Sequence, residues 1–391
     1  MTQFPKKLQQ KLARREVQNA LRRLPREQGS IDFSSNDYLG FSKNSEITEN
    51  ATKILYESGI IKNGATGSRL LSGNHRLYGE LETMLATFHQ TESALVFNSG
   101  YDANIGFFSA VPQRGDIVFY DEYIHASIRD GIKLGNAKSY KFKHNDVEDL
   151  SSGIERSRNE MVQNGEIYIV TESVFSMDGD SPDLKAFVKL CKENGCRLVV
   201  DEAHAVGVFG KKGEGLVQQL ELQNDVFARI ITFGKAIGCH GASILGSRDL
   251  KAYLVNFARS LIYTTGLPPH AVATISSAYS YLESSKGEQK KLNENILFFN
   301  QKLETLALSE AEGLNLKPFF IRSKSAIHCC VVSGNEQVKS IAQKIQEKGF
   351  DIRPILSPTV SEGEERLRIC LHSFNSKKEI QTALELLVSL I

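Results

Sequence analysis

The chain has 391 residues, 41% hydrophobic and 24% charged, with a formal net charge of +1. That is long enough for more than one lobe, ordinary in composition for a globular protein, and too balanced to argue for nucleic acid or an anionic membrane as a partner. No apolar run reaches the ~20 residues that cross a bilayer, and the basic N-terminus lacks the apolar core of a secretory signal, so a cytoplasmic protein is expected.

The first segment, MTQFPKKLQQKLARREVQNALRRL, reads as an amphipathic helix with Leu8, Leu12, Val17 and Leu21 roughly on one face. Short β-rich runs follow: SALVFNSG (93–100), DIVFYDEY (116–123), IYIVTES (167–173), RLVVDEAH (197–204), ARIITFGK (228–235) and ASILGS (242–247). Helical stretches such as DLKAFVKLCKENG (183–195) lie between them. Strands alternating with helices, and apolar on both faces, predict an α/β fold with a mostly parallel sheet covered by helices. Past LPP (267–269) the pattern changes to a helical tract over 270–307, a strand in AIHCCVVSG (326–334), a helix over 336–349, a strand in RLRICLH (366–372) and a last helix. That predicts a smaller C-terminal α+β domain. The expected division is an N-terminal helical arm (1–45), a large domain (46–275) and a small domain (276–391). Cys191, Cys196, Cys239, Cys329, Cys330 and Cys370 form no regular framework. Cys191-x4-Cys196 has no second pair, so reduced thiols and no metal site are expected.

Polar residues gather at the ends of three predicted strands. Glu172, Ser173 and Ser176 follow one, Asp201 and His204 another, and Thr232 with Lys235 a third. Ligands of open α/β sheets bind beyond the carboxyl ends of the strands. Lys235 sits in IITFGKAIG, an apolar run where a lone charge is costly to bury. A lysine in such a turn can have its pKa lowered, become nucleophilic and form a Schiff base. An aspartate aimed at a pyridine nitrogen, here Asp201, would keep that nitrogen protonated and the ring an electron acceptor. Together they are the minimum of a pyridoxal-phosphate (PLP) site. Thr232 and the Ser99-Gly100-Tyr101 turn ahead of a helix could bind the phosphate. His204 could reach the phenolic oxygen, and His125 could stack on the ring. A P-loop is absent, since GVFGKKG (207–213) has the wrong spacing, and neither G-x-G-x-x-G after a strand nor H-E-x-x-H occurs.

Over nearly its full length the chain resembles the α-oxoamine synthases, a family of fold-type I PLP enzymes. The matching segments, in the family's order, are FSSNDYLG (33–40), GATGSRLLSGN (64–74), ELE (80–82), FNSGYDAN (97–104), YIHASIRDG (123–131), ESVFSMDGD (172–180), DEAHAVGVFGKKGEG (201–215), TFGKAIGCHGA (232–242), FARSLIYTTGLPP (257–269) and RLRICL (366–371). The resemblance implies a large domain with a mostly parallel sheet, a small C-terminal domain, and condensation of an amino acid with an acyl thioester with loss of CO2. It implies that Lys235 holds PLP, Asp201 pairs with the ring nitrogen, His204 and Ser176 lie by the phenolic oxygen, His125 stacks, and Thr232 binds the phosphate. It further implies a homodimer in which Thr264 or Thr265 reaches the other subunit's phosphate, and substrate contacts from Asn36, Thr359 and Arg22. Arg368, whose guanidinium can grip a carboxylate bidentately, is the candidate for the substrate carboxylate. His125 is also expected to donate to the thioester carbonyl.

Within the family, FKHNDVEDL (142–150), ESVFSMDGDSPDL and SPTV…RLRICLH favour L-alanine with a pimeloyl thioester on coenzyme A or acyl carrier protein. An anionic acyl end calls for a cation, which Arg22 or Arg23 of NALRRLP could supply. Glycine with an acetyl or succinyl thioester and serine with a palmitoyl thioester are the alternatives inside the family; an aminotransferase and a non-catalytic scaffold subunit are those outside it. His240, where small residues are usual, is expected to be structural.

Overall fold

The computed structural model describes residues 4–22, 24, 29–160, 162–309 and 319–391. Its strands are, in chain order, β1 (Ile31–Asp32), β2 (Ser93–Phe97), β3 (Ile117–Asp121), β4 (Lys138–Phe142), β5 (Ile167–Glu172), β6 (Arg197–Asp201), β7 (Ala228–Thr232), β8 (Ala242–Gly246), β9 (Ile327–Val331), β10 (Phe350–Asp351), β11 (Arg353–Ile355) and β12 (Arg366–Cys370). The chain divides into two compact units: Asn36–Ser176 with Ser181–Lys290, and Met1–Ser35 with Met177–Asp180 and Lys291–Ile391.

The larger unit is built on a seven-stranded sheet in the order β2-β8-β7-β6-β5-β3-β4. All pairings from β7 to β4 are parallel, while β8 runs antiparallel to both β7 and β2. Every residue of β2 and β5 is buried, which is why these strands read as continuous apolar runs. The core between sheet and helices includes Leu95, Phe107, Val118, Ile128, Val170, Val199, Ile230 and Ile244. β4 escapes the sequence reading for a physical reason: KSYKF is an edge strand with its first four residues exposed, and edge strands are blunted with lysines.

Two helices of this unit, Gly100–Ala110 and Ala126–Leu134, cross closely at Gly131. A Cβ there would lie 2.8 Å from the Asn104 carbonyl oxygen and 2.9 Å from Phe108 Cβ. A side chain at 131 would drive the helices apart. Near the start of β7, Arg229 is buried against Glu202 at 2.6 Å and also donates to the carbonyls of His89 and Glu214.

In the smaller unit β11, β12 and β9 form an antiparallel sheet, and β1 pairs with β10 in parallel. Helix Lys377–Val388 begins with a capping box of Ser376 and Glu379. The N-terminal helix spans Lys6–Val17 and buries none of its residues; Leu8, Leu12 and Val17 are exposed, and Leu21 lies beyond its end. The expected apolar face is therefore one helical turn shorter, and none of its residues in the helix is buried. Among the described residues, no helix is long and apolar enough to cross a membrane.

Candidate active site

Three neighbouring parallel strands, β5, β6 and β7, end together, and their last residues are Glu172, Asp201 and Thr232. Two helices begin at the same edge. Ser99 caps Gly100–Ala110 by accepting from the Asp102 N–H, and His125 caps Ala126–Leu134 by accepting from the Ser127 N–H. These groups line a cavity of about 230 Å3 together with Tyr101, Asn104, Ala203, Gly234, Lys235, His240 and Gly241.

Lys235 follows β7 in a turn where Gly238 takes a left-handed φ of 65°. Its Nζ lies 2.6 Å from His204 Nε2. His204 Nδ1 in turn lies 2.8 Å from the Tyr38 hydroxyl, which donates to Asn36 Oδ1 at 3.1 Å. If the tyrosine proton goes to Asn36, the phenolic oxygen accepts from Nδ1–H and Nε2 keeps a lone pair for Nζ. In that arrangement His204 accepts from the lysine and is itself anchored through Tyr38 to Asn36.

The carboxylates are set by strand register. Glu172 and Asp201 are direct partners on β5 and β6. Asp201 Oδ1 accepts from the Ala203 N–H at 2.9 Å, and Oδ2 accepts from Asn104 Nδ2 at 3.1 Å. Glu172 Oε1 accepts from the His125 N–H at 2.6 Å. Burial, and then the charge of Asp201 beside it, push the Glu172 carboxyl up from its ordinary 4.5 to about 8. Burial, and then the charge of Lys235, hold the His125 imidazole below its ordinary value.

The donor set fits PLP. Among the described residues, none offers the buried Thr232 Oγ1 a hydrogen bond, a costly state unless a ligand supplies one. It lies beside the start of helix Gly100–Ala110, where free N–H groups and the helix dipole favour an anion. A Cβ on Gly100 would come within 2.6 Å of Thr232 Cγ2, so only glycine leaves this corner open. A phosphate therefore has a corner to occupy, a ring nitrogen has Asp201, and an aldehyde has Lys235.

Of the residues singled out in the sequence, Ser99, Gly100, Tyr101, His125, Glu172, Asp201, Thr232 and Lys235 line this cavity. The Tyr101 hydroxyl donates to Asp130 at 2.8 Å. His204 joins through Lys235, and Asn36 through Tyr38. Ser176 lies in the turn after β5, and Thr264 and Thr265 meet Asn98, whose Nδ2 donates to Thr264 Oγ1 at 3.2 Å and the Thr265 carbonyl at 2.5 Å. In the smaller unit, Arg22 donates to Thr359 Oγ1 at 3.1 Å, which brings two expected substrate residues together. Arg368 is buried on β12 and donates to Cys370 Sγ at 3.0 Å. Arg23 lies outside the described residues. His240, expected to be structural, is exposed and lines the cavity. Sequence reasoning missed Tyr38, Asn104 and Ser127 as site residues; the first is inside FSSNDYLG and the others inside FNSGYDAN and YIHASIRDG, so the matched segments held the signal.

Comparison with known proteins agrees with this chemistry. The model of the class I and II aminotransferase family matches residues 28–387. An 8-amino-7-oxononanoate synthase of Emericella nidulans is 40% identical over 97% of this chain and 93% of its own length. A solved 8-amino-7-oxononanoate synthase from Francisella tularensis superposes with a TM-score of 0.75 and 29% identity, covering 93% of this chain and 98% of that one. A serine palmitoyltransferase from S. paucimobilis, solved with bound PLP and myriocin, gives a TM-score of 0.82 and 28% identity over 92% of this chain and 87% of that one.

Proposed function

The chain belongs to the class I and II aminotransferase family and, within it, to the α-oxoamine synthases, and we propose that it condenses L-alanine with a pimeloyl thioester. The products are 8-amino-7-oxononanoate, CO2 and the free thiol, and the step belongs to biotin biosynthesis. The observation that carries this reading at the site is Lys235 Nζ, 2.6 Å from His204 Nε2, in a cavity that also holds Asp201 and the buried Thr232 hydroxyl.

Lys235 would hold PLP covalently, Asp201 would face the ring nitrogen, and Thr232 with the first N–H groups of helix Gly100–Ala110 would bind the phosphate. When bound, PLP supplies an electron sink for the pair left on the amino acid Cα as its proton departs. The chain's own residues do the rest. Lys235 Nζ, released by the incoming amine, takes the Cα proton, while the His204–Tyr38–Asn36 chain keeps that nitrogen aimed. His125 donates to the thioester carbonyl oxygen, where negative charge builds during attack. Ser176 is assigned to the phenolic side of the cofactor, Arg368 to the amino-acid carboxylate, and Arg22, Thr359 and Asn36 to the substrates. The proposed assembly is a cytoplasmic homodimer in which Thr264 or Thr265 serves the other subunit's site; the thioester carrier is coenzyme A or acyl carrier protein.

The test is a panel of pimeloyl, acetyl, succinyl and palmitoyl thioesters crossed with alanine, glycine and serine, with CO2 release measured. Alanine with pimeloyl should lead. Preference for glycine with acetyl or succinyl, or for serine with palmitoyl, would overturn the substrate assignment.

A further inference from the structure

His125 caps its helix through its own ring, and its Nδ1 has two partners. The Ser127 N–H points to it at 3.3 Å and the Ser127 hydroxyl lies at 2.7 Å. A backbone N–H can only donate, so Nδ1 is an acceptor and the proton of the neutral ring sits on Nε2. The hydroxyl must then donate to Nδ1 too. Asn104 Nδ2 donates to the hydroxyl oxygen at 2.9 Å, and the hydroxyl's one hydrogen goes to Nδ1. The second hydrogen of that same amide goes to Asp201 Oδ2 at 3.1 Å. Asp201 fixes which way the amide faces: its Oδ2 accepts from Nδ2, and a flipped Asn104 would set oxygen against oxygen. Asn104 and Ser127 are both buried, and the close helix crossing at Gly131 holds them in reach of each other.

We propose that Asn104 and Ser127 are positioning residues: a one-way relay from Asp201 to His125 that keeps the imidazole neutral, its plane fixed and its proton on Nε2. The inference rests on the functional reading only for its consequence, that Nε2–H meets the thioester carbonyl. The relay explains how a single carboxylate serves both ends of the reaction. It faces the cofactor ring and, through three hydrogen bonds, sets the donor for the second substrate. Protonating Nδ1 would set N–H against N–H and force the Ser127 hydroxyl to turn, so the relay resists the charged ring. The other charged groups facing His125 are Lys235, Asp201, Arg129 and Asp130, with Glu172 on its backbone N–H; all remain in the variants below.

The test is 15N NMR of histidine-labelled protein, with and without PLP, the His125 signals being those lost in His125→Asn. In the unsubstituted protein a single neutral Nε2–H tautomer is expected through the ordinary histidine range. Ser127→Ala and, as a second and independent lesion, Asn104→Ala keep the Ser127 N–H and its preference for an Nε2–H ring, but lose the hydroxyl bond or the amide that directs it, so both should protonate at higher pH. Both should keep PLP absorbance and the KM for alanine while kcat falls on the order of 10- to 100-fold, the scale of a misplaced donor. A proton on Nδ1 in the unsubstituted protein, or variants whose His125 titration matches that of the unsubstituted protein, would overturn the relay. The NMR arm needs no substrate. A protein with the expected spectra that fails to condense alanine with pimeloyl thioesters would overturn the functional reading alone.

Discussion

Asp201 carries the sharpest prediction at the scale of single residues. Asp201→Asn removes the charge that would hold a ring nitrogen protonated but keeps the shape and one acceptor for the Asn104 amide. PLP should still attach, and kcat should fall by ~100-fold or more, comparable to removing one strong electrostatic stabiliser; steady-state rates alongside the cofactor absorbance check it. Lys235, Asp201, Thr232, Gly100 and His125 were legible in the sequence because a charged, small or imidazole residue directly after an apolar run stands out. Tyr38, Asn104 and Ser127 lie inside the matched segments, but no pattern of their own singles them out there. Tyr38 lies 166 positions from His204, and Asn104 lies 97 from Asp201, and no local pattern announces a hydrogen bond across such a separation.

Neighbouring strands impose their own chemistry. The β5–β6 register sets Glu172 beside Asp201, and burial with that like charge pushes Glu172 from 4.5 to about 8. Between those two values the folded chain holds a proton that the unfolded chain has released, so this group's stabilising contribution is full below 4.5 and is lost as pH rises to about 8. Glu172→Gln mimics the protonated form and still accepts from the His125 N–H. Thermal unfolding of the PLP-free proteins should therefore show the variant gaining on the unsubstituted chain as pH rises through that window; a constant difference would contradict the shift. Arg229→Met is the companion test on β7. It leaves Glu202 buried and uncompensated, and unfolding in urea should show a loss of about 3–5 kcal/mol. Strands β2, β3, β5, β6, β7 and β8 were visible from their apolar runs, whereas β4 was hidden because an exposed edge needs no apolar pattern.

At the scale of the whole molecule, the larger unit carries the cavity on one edge of its sheet, beyond the carboxyl ends of β5, β6 and β7, as open α/β sheets dispose their ligands. The reversal of β8 was not legible: ASILG reads alike in either direction, and pairing between β2 and β7 decides it. The proposed homodimer has a functional consequence. Subunits inactivated by Lys235→Ala, mixed with subunits inactivated at Thr264 and Thr265, should regain part of the activity as exchange proceeds; no recovery with exchange verified would count against a shared site.

The central claim, that Lys235 is the cofactor lysine of a decarboxylating condensation, is met most directly by reducing the PLP-loaded protein with borohydride and mapping the pyridoxyl group by peptide mass spectrometry. The account predicts one modified peptide, the one containing Lys235, and loss of that label when excess alanine, without a thioester, has first displaced the lysine from the cofactor. A pyridoxyl group on another lysine, or none on the loaded protein, would contradict it.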